Sequence, residues 1–317
     1  MRFIFDFIII FILALSAYWM YVIIRSFFIK KNKKIKTKIV RILMIIMLLI
    51  IFIVIFYGSF IEPQLIVKKV TEVDLAKTSE HEKIKIAFIS DLHVGPYKQE
   101  NYLERVVQII KAEQPDLILL GGDYLFNKEN EAQYLTPLKD LSTIAPVFAV
   151  IGNHEYNLGK YGDKGQIDLT KTLRQEFLDW NIKILNNEMV SIEINDQPLA
   201  ISGINDLWTG KSDLLLVRDY LDPKKTNILL SHNPDIILDS SHSPFDLILS
   251  GHTHAGQIRL PYIGALMGVP TILGRDYDHG LFQFDQNFLY ISAGLGESGP
   301  RARLFNPPEI SIINLDL

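Results

Sequence analysis

Five short polar clusters, each closing an apolar run, constrain the fold of this chain more than any other feature. In order they read Asp91-Leu92-His93, Gly121-Gly122-Asp123, Gly152-Asn153-His154-Glu155, His232-Asn233 and Gly251-His252-Thr253-His254. The runs before them, at 85–90, 116–120, 146–151, 227–230 and 245–249, are short and bounded by polar residues. Runs of that length read as buried strands. Between the first two, Asn101 followed three residues later by Glu104 predicts a helix start, with Val106, Val107, Ile109 and Ile110 as its buried face. Strand alternating with helix predicts a βαβ sheet covered on both faces. Polar residues at the carboxyl ends of such strands stand where open α/β sheets bind ligands.

The second half is richer in strands. Segments 182–185, 189–194 and 199–201 read as a meander, and 281–284, 288–292 and 310–313 close the chain. A helix is expected at 168–180 and a short one after Pro234. The fold class expected is α/β, a two-sheet β-sandwich flanked by helices, with an N-terminal transmembrane helical hairpin.

That hairpin rests on two apolar runs. Residues 3–24 are interrupted only by Asp6, and residues 42–60 carry no charge. Each is long enough for a bilayer core, which takes about 20 residues. The first run continues through Val22-Ile23-Ile24, past the small-residue site Ala14-Leu15-Ser16, so it reads as a span rather than a cleavable signal. The connector carries Arg25, Lys30, Lys31, Lys33, Lys34, Lys36, Lys38 and Arg41. Short basic loops stay cytoplasmic, which places everything after Phe60 outside the cytoplasm; Lys68 and Lys69 oppose this, and the cytoplasmic face is the alternative. The expected domains are a membrane anchor over 1–64, a tether over 65–83 and a soluble domain over 84–317.

The chain has no cysteine, which excludes disulfides, thiolate nucleophiles and thiolate zinc sites. Its net charge of −4 shows no nucleic-acid footprint.

The clusters supply oxygen and imidazole groups suited to hard or borderline divalent cations. Asp123, set behind two glycines, is the candidate bridge, since a carboxylate offers one oxygen to each of two cations. Asp91 and His93 are two apart, so an extended strand end would turn both to one face, and His252 and His254 share that spacing. Asn153 offers a neutral oxygen, and His232 approaches from a separate loop. Each piece alone has an ordinary reading as turn or cap chemistry. It is the conjunction that argues for a two-metal hydrolytic site: five of the eight histidines lie in these clusters, whereas His81, His242 and His279 do not.

The pattern Asp-x-His, Gly-Asp, Gly-Asn-His-Glu, His, Gly-His-x-His resembles that of the calcineurin-like metallophosphoesterases, over about residues 84–317. Leu230-Ser231-His232-Asn233-Pro234-Asp235, the run 251–257 and the tail 292–300 resemble the YkuE/YaeI-type membrane-associated branch, although Ala255 stands where that branch more often has Gly. The resemblance implies a dinuclear Mn, Fe or Zn centre. One cation would take Asp91, His93, Asp123 and His254, the other Asp123, Asn153, His232 and His252. His154 would be no ligand but a proton donor or phosphate-binding group, and a metal-activated hydroxide would attack the phosphorus. Protein phosphatases of the superfamily carry a second Asp and an Arg after Gly-Asp; here the stretch is Tyr124-Leu125-Phe126-Asn127.

The expected activity is hydrolysis of a phosphodiester or pyrophosphate on an amphiphilic, lipid-linked or envelope substrate at a membrane. The alternatives are a UDP-diacylglucosamine pyrophosphatase of lipid A synthesis, a protein phosphatase, an inert scaffold of the same fold, and a transport accessory built on the spans. Arg275, Arg301 and Arg303, in the C-terminal loops beyond the His pair, are candidate phosphate clamps.

Overall fold

The computed structural model describes residues 2–29, 34–75, 82–126, 128–156, 158, 169–240 and 244–317. His81 and His242 lie outside the described residues. Helices α1 (Arg2–Ile29) and α2 (Ile35–Phe56) run antiparallel, with the Arg41 guanidinium donating to the Ser26 carbonyl where they meet. Both are long and apolar enough to cross a membrane. Many of their large apolar side chains are exposed.

The remainder is a sandwich of two six-stranded sheets. The first sheet holds β1 (Val67–Asp74), β2 (Lys83–Ile89), β3 (Leu117–Leu120), β4 (Val147–Ala149), β5 (Lys183–Ile184) and the last strand, β14 (Glu309–Asp316), in the order β1-β14-β2-β3-β4-β5. The second holds β6 (Glu188–Ile194), β7 (Gln197–Gly203), β8 (Thr226–Leu230), β9 (Leu247–Ser250), β12 (Gly280–Phe284) and β13 (Asn287–Ile291), in the order β12-β13-β9-β8-β7-β6. A small hairpin, β10 (Arg259–Leu260) and β11 (Gly264–Ala265), stands apart.

Side-chain alternation sorts the apolar residues into three layers. Ile84, Ile86 and Phe88 of β2 and Leu117 and Leu119 of β3 point between the sheets, against Leu199, Ile228, Leu230, Leu247 and Leu249. The intervening Ala87, Ile89, Ile118 and Leu120 face outward onto α3 (Glu100–Glu113), the 3₁₀ helix Glu129–Thr143 and α4 (Thr170–Asp179). On the far side, Leu229, Ile248 and Leu289 are covered by Val217 of α5 (Leu215–Arg218), by Ile236, and by Ile237 of α6 (Ile237–Ser240).

Three expectations need correction. Residues 65–83 are not simply a tether: β1 pairs in parallel with β14 over eight positions as an edge strand. Its lysines and acids suit an exposed edge, and only Val73 of the strand is buried. The segment 182–201 is not a meander: β5 pairs with β4 in the first sheet, while β6 and β7 form a hairpin in the second. Helix α3 begins at Glu100 behind Gln99, so Asn101 lies inside the helix and is not its cap.

The boundary at residue 64 also shifts. Gly58, Ser59, Glu62 and Pro63, at the exit of α2, are buried against the sandwich. The Gly58 carbonyl accepts from Arg303 N at 2.8 Å, and the Glu62 carboxylate accepts from Asn306 N at 2.5 Å. At the same end of the hairpin, Tyr97 donates to Asp6 at 3.1 Å.

Candidate metal centre

The strands carrying the polar clusters are parallel within each sheet, so their carboxyl ends open on one side of the sandwich. Asp91 and His93 follow β2, Asp123 follows β3, and Asn153 and His154 follow β4. His232 follows β8, and His252 and His254 follow β9. All are buried except His154, whose side chain is 27% exposed.

The side chains converge as two groups sharing one residue. Asp91, His93, Asp123 and His254 bring one ligand atom each within 4.8 Å of one another, and so do Asp123, His232 and His252. Asp123 Oδ2 lies 3.5 Å from His93 Nε2 and 3.1 Å from His232 Nε2. His93 Nε2 faces His254 Nε2 at 3.1 Å, His252 Nδ1 faces His232 Nε2 at 3.2 Å, and His254 Nε2 is 3.4 Å from Asp91 Oδ1. The Asn153 amide donates to the Leu158 carbonyl at 2.6 Å, leaving its buried Oδ1 without a hydrogen-bond partner. Facing ring nitrogens and an orphaned amide oxygen suit cations as the missing partners.

Backbone carbonyls orient the rings from behind. His232 Nδ1 donates to Gly121 O at 2.8 Å and His254 Nδ1 to Gly296 O at 3.3 Å, which turns each Nε2 lone pair toward the centre. His154 Nδ1 donates to Phe126 O at 2.9 Å, and its Nε2 is 4.0 Å from Asp123 Oδ2.

The structure brings these residues together, but not by the strand geometry that their spacing suggested. Strand β2 ends at Ile89, and both Asp91 and His93 have left-handed backbone, φ 54° and 41°. Asp123, His252 and His254 share that conformation, at 56°, 70° and 51°. The candidate ligands therefore converge through tight turns, not through strand alternation. Such residues cost about 1–3 kcal/mol each and cluster where function holds them. Ala255, φ 49°, sits in the same left-handed turn, which accounts for the preference for glycine there. Gly152 and Gly251 serve close approach: an added Cβ would lie 2.2 Å from Asp123 Oδ1 in one case and from Asp91 Oδ2 in the other.

Electrostatics follow from burial and mutual charge. Burial pushes the Asp123 carboxyl up, but His232, His154 and His93 carry it well below the usual range. Burial lowers His232, and the Asp123 charge overcomes this and holds it well above 6.5. Burial and neighbouring imidazoles keep His93 and His252 well below 6.5, hence neutral and able to coordinate.

Sequence reasoning missed the supports. Glu155 is buried and accepts from the backbone N–H groups of Asp123, Tyr124, Leu125 and Gly152, tying the β3 and β4 loops together. Its signal was its place beside His154. Burial, then the charge of Asp123, raises it to about 8 in the metal-free protein. Of the arginines, Arg303 is wholly buried and donates to the carbonyls of Ala293, Gly294, Gly296 and Asn306. It braces the loop from the interior, with Nε 3.4 Å from Glu297, and its burial keeps it from a substrate. Arg301 lies over the rings of Phe60 and Tyr97, and Arg275 donates to the Ala265 carbonyl.

A two-sheet sandwich with carboxylates and imidazoles gathered in two groups at its strand ends defines a metal-dependent hydrolase. The chain belongs to the calcineurin-like phosphoesterase family, whose profile matches residues 84–256. It is thus a metal-dependent phosphoesterase. A metallophosphoesterase of Campylobacter jejuni is 31% identical over 292 residues, 90% of this chain and 73% of that protein. The metallophosphoesterase YkuE of Bacillus subtilis is 29% identical over 82% of this chain and 88% of its own length. The phosphodiesterase YaeI of Escherichia coli is 31% identical over 73% of this chain and 82% of its own.

Proposed function

We propose a membrane-anchored phosphodiesterase or pyrophosphatase working with two divalent cations. Asp91, His93, Asp123 and His254 would hold one, and Asp123, Asn153, His232 and His252 the other. The observation that carries this reading is Asp123 Oδ2, set 3.5 Å from His93 Nε2 and 3.1 Å from His232 Nε2, one from each group. Bound there, such cations supply Lewis acidity to the phosphoryl oxygens and lower the pKa of water to near neutrality. The chain itself supplies orientation and a proton. With Nδ1 committed to Phe126 O, His154 presents Nε2 at the open edge of the centre, where it holds the proton for the leaving oxygen. The likeness to the phosphodiesterase YaeI supports a diester, and the apolar hairpin supports an amphiphilic substrate.

To test this, the full chain is stripped of metal, reloaded with Mn, Fe or Zn, and assayed on phosphodiesters, monoesters and diphosphates. We expect two cations per chain and preference for a diester or diphosphate. Binding of a single cation would overturn the two-cation reading. Reporter fusions after Ile61 should be active outside the cytoplasm, since the basic connector is held inside. A cytoplasmic result would favour the UDP-linked lipid as substrate.

A further inference from the structure

Residues 260–274 run for fifteen positions without a charge, Leu-Pro-Tyr-Ile-Gly-Ala-Leu-Met-Gly-Val-Pro-Thr-Ile-Leu-Gly, between Arg259 and Arg275. They form the β10–β11 hairpin and the strand-free segment after it. A run this apolar is expected inside a domain, yet here much of it is outside. Tyr262 is fully exposed, and Ile263, Met267 and Ile272 are 62%, 66% and 78% exposed. Ala265 and Val269 are buried and fasten the base of the segment. Tyr262 holds a left-handed backbone, φ 65°, which is uncommon for a bulky side chain and marks a constrained tip. Exposed apolar patches of this kind mark interaction surfaces.

The base is rigidly placed beside the metal centre. Arg259 donates to the Ala255 carbonyl at 2.8 Å and pairs with Asp278, and Arg275 donates to the Ala265 carbonyl. A Cβ on Gly256, two residues from His254, would lie 2.4 Å from the Ala265 side chain, so the hairpin seats directly on the ligand loop.

The base is also continuous with the exit of α2. Arg259 N donates to Leu304 O at 2.9 Å, and the adjacent Arg303 N donates to Gly58 O at 2.8 Å. Tyr262 is four residues from Ile258, which bridges Leu304, so the tip lies within about 14 Å of that link. Phe305, beside it, is exposed as well. An aromatic tip with flanking arginines, one backbone step from a spanning helix, has the chemistry of a segment lying in the bilayer interface.

We propose that the hairpin 259–273 is a membrane-dipping lip that holds the mouth of the metal centre against the bilayer surface. This rests on the membrane-anchored reading above. An amphiphilic substrate would then present its phosphoryl group to the centre while its apolar part stays in the lipid.

Because the chain has no cysteine, single labels can be placed cleanly. Ile263→Cys, Ile50→Cys in α2 and Leu178→Cys on α4 are each labelled with an environment-sensitive fluorophore in the full chain, reconstituted into phospholipid vesicles. Brominated lipid and aqueous iodide serve as quenchers. We expect labels at 50 and 263 to be quenched by brominated lipid, and the label at 178 by iodide. Iodide quenching at 263 with lipid quenching at 50 would overturn the lip and leave the anchor standing. Iodide quenching at both would remove the anchor and the lip together. Protection from both quenchers at 263 would mean that a second copy covers the hairpin, which also overturns the proposal. Tyr262→Asp with Ile263→Asp should raise KM about tenfold for a vesicle-embedded diester and leave KM for a soluble nitrophenyl diester unchanged. Equal shifts on both substrates would assign the hairpin a structural role in the site.

Discussion

The two sheets contribute unequally to the metal centre. The first supplies both carboxylates, the imidazole of His93, the amide of Asn153 and the exposed imidazole of His154; the second supplies only imidazoles, those of His232, His252 and His254. Negative charge thus enters from the first sheet alone. Neither sheet holds a complete set for either group, because each group draws side chains from both. The centre therefore reports on whether the sheets are correctly packed, and the residue standing between the halves, Asp123, carries the most.

This asymmetry gives the largest expected effect. Asp123→Ala removes the shared oxygen and should abolish binding at both positions, with activity falling by about 10⁴-fold or more, since cation stabilisation is worth several kcal/mol. His252→Ala removes one nitrogen from the second sheet and should lower the stoichiometry by one cation. Isothermal titration of the two variants separates them. If both lose the same number of cations, Asp123 is not shared and the halves are equivalent.

The catalytic asymmetry is tested next. His154 comes from the first sheet but lies outside both ligand groups. His154→Ala should keep both cations and slow turnover by roughly 10²–10⁴-fold, the range for a lost general acid. The loss should shrink for esters with good leaving groups, which need no proton. Loss of a cation in this variant would move His154 into the ligand set.

How much of this was legible in the chain follows the same division. The strands of both sheets announce themselves because each is a short apolar run that stops at a polar cluster, and the ligand types are chemically distinctive. What the sequence hid was local backbone geometry and long-range pairing. Left-handed turns at non-glycine residues such as Asp91 and His254 leave little compositional trace, since their cost is met by the surrounding structure. The pairing of β1 with β14 joins residues more than two hundred positions apart, which no local pattern encodes. The role of Arg303 was misjudged for a related reason. A basic side chain in a loop beyond the His pair reads as a candidate phosphate clamp, and only the fold gathers the four carbonyls that enclose it.

The smallest expected effect concerns the joint between the halves away from the ligands. Lys98, in the loop after β2, is fully buried with its Nζ 3.3 Å from Glu297 in the loop after β13, donates to the Pro63 carbonyl, and lies 4.0 Å over the Tyr102 ring. Burial lowers its pKa from 10.5 to about 8, partly offset by the Glu297 charge. Between those values the unfolded chain holds one more proton than the native protein. Raising the pH through that window therefore stabilises the native state, by about 3 kcal/mol at most. Below pH 8 both states are protonated and this contribution to the slope vanishes. Thermal melts of the full chain from pH 7 to pH 10, compared with Lys98→Met, should show a rise in Tm above pH 8 in the parent relative to the variant. Parallel profiles would mean that Lys98 is solvated, and that the loops of the two sheets meet through the metal centre without a buried ionic joint beside it.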